Sequence, residues 1–205
     1  MRSDTFHQQR HDATADILLH AAQSAIARTG YDRVTMRDIA DQAGCAPGTL
    51  YLYFRNKRDL VNALLDRHLS LLHGELMAVA ATAQDPLVKL RQLSRTLLRY
   101  FNQNRDVFKV FYSATRATPR GARVGLSHGA QEMEREIQEI EVAVIRQAQE
   151  LGEVRGDFPP ESVQSFRRGL TLGLLEEFSA REELPSEEEQ MRMLWGFQTA
   201  GIGAR

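Results

Sequence analysis

The chain has a single cysteine, six prolines and one tryptophan, and it contains no apolar run of about 18 residues. One thiol, Cys45, excludes an internal disulfide framework and suits a reducing compartment, so the cytoplasm is the expected location. The opening MRSDTFHQQRHDATAD has no apolar core of the kind that signal peptides carry, and neither export nor a membrane span is expected. Glutamate is absent before Glu75, and aspartate supplies all the acid of that first stretch. A net charge of only −1 therefore covers two regions of different character, with different partners expected for each. Strand signals are also scarce. No Asn-Gly or Asp-Gly turn occurs, β-branched residues are scattered, and apolar residues recur at three and four rather than two.

What remains is an all-α chain, with 42% hydrophobic residues to build its core. The periodicity predicts about nine helices. The first covers 13–29, with Ile17, Leu18, Ala21, Ala22, Ala25 and Ile26 on one stripe and Gly30 as its stop. Two short pieces follow at 36–43 and 47–53, the first capped by Thr35 and the second opened by Pro47, with Gly44 between them. A long helix capped by Asn56 carries Leu60, Val61, Leu64, Leu65, Leu71, Leu72 and Leu76. Further helices are predicted over 86–103, 106–118, 124–151, 160–181 and 186–199, the last opened by a capping box of Ser186 and Glu189.

A short helix, a glycine turn and a second short helix form a helix-turn-helix, whose second helix enters the DNA major groove. Ile39, Ala40, Ala43 and Leu50 let the two helices cross closely, and Gly44 provides the positive φ of the turn. Thr35 and Lys57, each at a helix start, suit phosphates. Gly48, following Pro47, permits close backbone approach, and Thr49 offers a methyl and a hydroxyl to base edges. Tyr51 and Tyr53 suit phosphates through their hydroxyls, and Arg37 suits either a phosphate or a base.

With these residues in place, the N-terminal third resembles the tetracycline-repressor (TetR) family of bacterial transcriptional regulators. The resemblance rests on Gly30-Tyr31, Thr35 to Ala40, Ala43-Gly44, Gly48 to Tyr51, Tyr53-Phe54 and Asn56 to Leu60. Cys45, Ala46-Pro47 and Tyr53 depart mildly from the family pattern, which affects the operator read and not the binding mode. The resemblance implies a flexible N-terminal arm over 1–12, a DNA-binding domain over 13–65 and an effector-binding and dimerisation domain over 66–205. It implies a homodimer on a palindromic operator, released as a repressor by a small lipophilic effector. The last two helices would form a four-helix bundle with their copies through Leu170, Leu174, Phe178, Met191, Leu194, Trp195 and Phe197, unless these serve the chain's own core. Gly169 and Gly173 would allow close approach there.

The family position of the effector falls on Phe101, Phe108, Phe111, Tyr112 and Phe166, which are either pocket lining or core. Arg116, Arg167 and Arg168 stand near them; a buried arginine would favour an anionic head group, and an exposed one would not. The stretches 146–154 and 169–178 are similar to the fatty-acid-metabolism branch, whose effectors are acyl-CoA esters; a multidrug-type ligand is the other reading. No catalytic residue, cofactor or metal site is expected. Cys45 reads as a structural turn residue, and His7 with His11 lacks further zinc ligands nearby. His68 and His73 read as a solvated helix face, and the 132–141 charge run as an outer surface. A helical scaffold or enzyme that has kept a helix-turn-helix is the alternative to a regulator.

Overall fold

The computed structural model describes residues 2–109 and 127–202, with side chains from Asp12 to Lys109 and from Ser127 to Ala200. The described residues hold eight named helices: α1 Arg2–Thr29, α2 Met36–Ala43, α3 Pro47–Tyr53, α4 Lys57–Ala80, α5 Pro86–Gln103, α6 His128–Glu150, α7 Pro160–Ala180 and α8 Glu187–Ile202. Residues 105–109 are also helical. The rest of the helix expected over 106–118 lies outside the described residues. α1 begins at Arg2 and not at 13, because neither proline nor glycine interrupts the chain before Gly30. The stretch 2–12, expected as a flexible arm, therefore has a helical backbone.

Two compact units divide the described residues, one within Met1–His68 and Asp106–Ser127, the other within Leu69–Arg105 and His128–Arg205. The continuous α4 contributes to both, so the division falls within a helix rather than at a loop. In the first unit α1 brings Leu18, Leu19, Ala22, Ala25 and Ile26 against Met36, Ile39 and Ala40 of α2, Leu50 of α3 and Leu60, Val61, Leu64 and Leu65 of α4, with Val107 closing the cluster. Burying residues of this size contributes on the order of 1.5–3 kcal/mol each, which holds helices too short to persist alone. Ile17, expected on the core stripe, is exposed; Leu19 takes its place, because the stripe is centred on Leu18 and Ala22. Leu71 of α4 is exposed for the same reason.

His68 lies half-buried at the end of the first unit, its Nε2 3.3 Å from Gln23 Oε1. It was expected on a solvated face. Burial, reinforced by Arg67 and His20, lowers its pKa from 6.5 to about 4. A folded pKa below the unfolded one means that the unfolded chain takes up the proton first. The stability tied to neutral His68 is thus fully present above pH 6.5 and is lost as pH falls through about 4. Melting temperatures recorded from pH 7 to pH 4 should fall more steeply in the wild type than in His68→Phe; parallel curves would refute this assignment.

In the second unit α5 packs on α6 and α8, and α7 lies against α6 and α8. Leu90, Val144, Ile145, Ala148, Val154 and Val163 form its cluster, with Leu87 and Trp195 at the edge. Arg105 closes the far end of α7 by donating to the carbonyls of Phe178 at 3.0 Å and Glu182 at 3.2 Å. Leu151, expected on the apolar stripe of α6, is exposed beside the Gly152 stop at φ 73, and Ile145 is buried instead. His73, also expected in solvent, is held by Glu136 at 2.8 Å. The acidic run likewise turns partly inward: Glu134 pairs with Arg168, and Glu141 accepts from Gln164 at 3.1 Å, while Arg135 and Glu139 stay exposed. Ser186 and Glu189 make the expected reciprocal cap of α8.

Candidate nucleic-acid interface

The α2–turn–α3 segment is fixed at its start by a reciprocal side-chain cap. Asp38 N–H donates to Thr35 Oγ1 at 3.2 Å, while Thr35 N–H and its hydroxyl donate to Asp38 Oδ2 at 2.8 and 2.7 Å. These bonds from Thr35 hold the Asp38 carboxyl below the usual carboxylate range. They also correct the reading of Thr35 as a phosphate ligand, because both of its donors are engaged by the cap. Gly44 closes α2 at φ 68, its N–H shared between the carbonyls of Ala40 and Asp41. Cys45 packs half-buried against the first core, which suits its structural reading.

α3 begins at Pro47, where the missing N–H is harmless, and is anchored by the fully buried Leu50. Leu50 is the one fully buried side chain of the helix. Pro47 and Gly48 are exposed, Thr49 is half-buried, and Tyr51 is 53% exposed. Tyr53 is half-buried against the first core, with its ring centroid 6.4 Å from that of Phe54. It therefore shares its expected DNA-facing role with a packing role. The residue that sequence reasoning missed is Leu52, which is 82% exposed. A leucine reads as core by type; only the position of Leu50 places Leu52 on the opposite side of so short a helix.

Lys57 also departs from expectation. Its Nζ donates to the carbonyls of Tyr31 at 2.7 Å, Val34 at 3.0 Å and Asp32 at 3.4 Å, and sits 4.6 Å from the centre of the Tyr31 ring. An ammonium has three donors, and all three are turned inward. Lys57 therefore ties the start of α4 to the 31–34 loop that leads into α2, and is not placed to hold a phosphate. Asn56 caps α4 through Asp59 N–H at 2.9 Å, and Asp59 accepts from Arg55 N–H at 2.9 Å. Arg28 reaches Gln42 at 2.9 Å and so braces α1 against α2. Arg37, Arg55 and Arg58 remain exposed around α3, and none of them enters an ion pair among the described residues.

Four of the expected effector residues, Phe101, Phe108, Phe166 and Arg167, are among the described residues. Phe101 is fully buried in the second unit, whereas Phe108 is half-buried in the first. Phe166 is 67% exposed, on a shallow depression with Glu161, Ser162 and Ser165, because α7 directs Arg167 and not Phe166 inward. Phe111, Tyr112 and Arg116 lie outside the described residues. Arg167 is the buried arginine of the set. Among the described residues no group of three or more His, Cys, Asp or Glu could hold a metal ion, and no helix is long and apolar enough to cross a membrane.

Residues 18–64 match the family model for bacterial regulatory proteins of the tetR family, a span that contains α2, the turn, α3 and the Lys57 anchor. A probable HTH-type transcriptional regulator of Pseudomonas putida, ArpR, is 40% identical over 86 residues, covering 42% of this chain and 40% of that protein. The HTH-type transcriptional repressor KstR2 of Mycolicibacterium smegmatis is 40% identical over 78 residues, 38% of each chain. Each of these alignments spans less than half of the relative's length. The solved structure of the ketosteroid transcriptional regulator KstR2 of Mycobacterium tuberculosis superposes with a TM-score of 0.74 over 93% of this chain and 95% of that one, at 22% identity, which establishes a common fold. The helix-turn-helix geometry and the match over 18–64 agree: this segment of the chain is a DNA-binding domain of the type found in bacterial regulatory proteins of the tetR family.

Proposed function

We propose that the chain is a cytoplasmic, non-enzymatic regulator that binds a palindromic DNA operator as a homodimer and is released from it, as a repressor, by a small lipophilic effector. The observation that carries this reading is α3. A seven-residue helix anchored by one buried leucine leaves Tyr51 and Leu52 exposed and Thr49 half-exposed, and the exposed Arg37, Arg55 and Arg58, which flank it in the chain, enter no ion pair among the described residues. Exposed cations fix register on phosphates, and outward hydroxyl and apolar groups read base edges.

The dimer reading is supported by the outer faces of α7 and α8. Phe166, Leu170, Leu172 and Phe197 are exposed there, and a Cβ added at Gly169, Gly173 or Gly196 would meet nothing within 4 Å. Phe178, Met191 and Leu194, for which interface and core are the alternatives, are buried within the chain. The proposed domains are 13–65 for DNA and 66–205 for effector and dimer, with α4, continuous from Lys57 to Ala80, as the element both share. A lipophilic effector is in keeping with the ketosteroid regulator of the same fold. An acyl-CoA ester stays within this class of ligand.

The test is selection of bound duplexes from a random-sequence library by the full chain. The expected product is a palindrome with half-sites about 34–36 Å apart. Recovery of unrelated sequences, or of single half-sites bound by a monomer in sedimentation, would overturn the proposal. A retained scaffold or enzyme predicts no enrichment at all.

A further inference from the structure

Arg167 is 2% exposed, and its guanidinium is incompletely bonded. Nη2 donates to Ser94 Oγ at 3.2 Å and to the Leu90 carbonyl at 3.4 Å, whereas Nε and Nη1 find no acceptor. The neighbouring polar groups are bonded to one another instead. Ser94 Oγ donates to Gln198 Oε1 at 3.2 Å, Gln198 Nε2 donates to Thr171 Oγ1 at 3.1 Å, and Thr171 Oγ1 donates to the Arg167 carbonyl at 2.8 Å. The chain of bonds runs one way and closes on itself. Glu141 acts on the guanidinium electrostatically, but no ion pair joins them, and its Oε2 is engaged by Gln164. A buried cation with unused donors is among the least favourable arrangements a protein interior can hold, and an anion brought to it removes the deficit.

We infer that Arg167 anchors the carboxylate of an amphipathic monoanionic effector beside Trp195. This rests on the effector-release reading and names the chemistry of its ligand. A carboxylate accepts charge-assisted bonds from a guanidinium in good geometry. A monoanion suits the site better than a phosphate dianion, because Glu141 already places one negative charge within electrostatic reach. Trp195 flanks the site, with the Arg167 guanidinium carbon 6.0 Å from the ring centre.

Trp195 is the one tryptophan of the chain, so its emission reports on this site alone. Dodecanoate and its neutral counterpart 1-dodecanol are titrated into the full-length wild type and into Arg167→Met, and the same ligands are added to the complex with the selected duplex. Dodecanoate should change Trp195 emission saturably and bind at least roughly tenfold tighter than dodecanol, the scale of one charge-assisted contact. Arg167→Met should bring dodecanoate down to the affinity of dodecanol. Without ligand it should melt no lower than the wild type, because it removes an unpaired buried charge, a readout a purely structural arginine would move the other way. Equal binding of the two ligands, no saturable response to dodecanoate, or full dodecanoate affinity in Arg167→Met would overturn the assignment. Dodecanoate binding that depends on Arg167 but leaves the DNA complex intact would uphold the anchor and refute the release reading instead.

Discussion

Lys57→Met will lower both the stability of the protein and its DNA affinity, and will leave the salt dependence of DNA binding unchanged. The methionine keeps the length and apolar stem of lysine but removes the donors that reach the carbonyls of Tyr31, Asp32 and Val34. Bonds from a charged donor contribute about 1.5–3 kcal/mol each when well made, and partial exposure here reduces the sum to about 2–3 kcal/mol. For a chain of 205 residues that corresponds to a fall of roughly 5–10 °C in melting temperature. DNA affinity falls because the 31–34 loop, which sets the entry to α2, loses its tie to α4. The slope of log affinity against log salt counts phosphate contacts, and Lys57 makes none in this geometry. Arg37→Ala is the matching comparison: it should lower the slope by about one unit with the melting temperature unchanged. A Lys57→Met variant with wild-type stability and a slope reduced by about one would show that lysine to be a phosphate ligand after all.

The second large effect concerns the outer face of α3. Tyr51→Ala combined with Leu52→Ala should weaken binding to the selected duplex by roughly 30- to 25,000-fold, since each lost contact at the groove is worth about 1–3 kcal/mol. Folding stability should stay within about 0.5 kcal/mol of wild type, because neither side chain is buried by the fold. The two residues should also be separable. Tyr51 carries a hydroxyl suited to phosphate, so its loss should weaken binding to all sequences alike. Leu52 has only apolar surface, which suits a thymine methyl, so Leu52→Gln should change the preferred base at one position per half-site. Selection experiments on the two single variants distinguish these outcomes. Undiminished affinity in the double variant, with its helix content intact, would remove α3 from the interface.

Much of the DNA-binding unit was legible along the chain because its signals are local. A cap such as Thr35 with Asp38, a proline at the first helical position and a glycine at φ 68 act within three or four residues of themselves, so α2 and α3 have the bounds the sequence predicts. Side-chain roles at that site were less legible. Whether Lys57 faces solvent or the Tyr31 carbonyl depends on a separation of 26 residues, and nothing near Lys57 in the chain records that distance. Leu52 and Ile17 show a related difficulty. Their type says core, but helix phase relative to Leu50 or Leu18 decides, and a phase error of one residue turns a side chain by about 100°.

The effector side lay still further from the sequence. Phe166 and Arg167 are neighbours in the chain, yet one is exposed and the other is buried among α5, α7 and α8, which meet only in the folded second unit. The sequence by itself determined that the chain is helical, that it carries a helix-turn-helix and where α2 and α3 start and stop, because caps, breakers and apolar period are short-range and intrinsic to the backbone. The tertiary structure alone decided which lysine is a brace, which leucine is outward and which arginine is a buried cation with donors to offer. Those properties depend on what surrounds a side chain after distant segments pack, and burial changes the energy of a charge or a donor far more than its identity does.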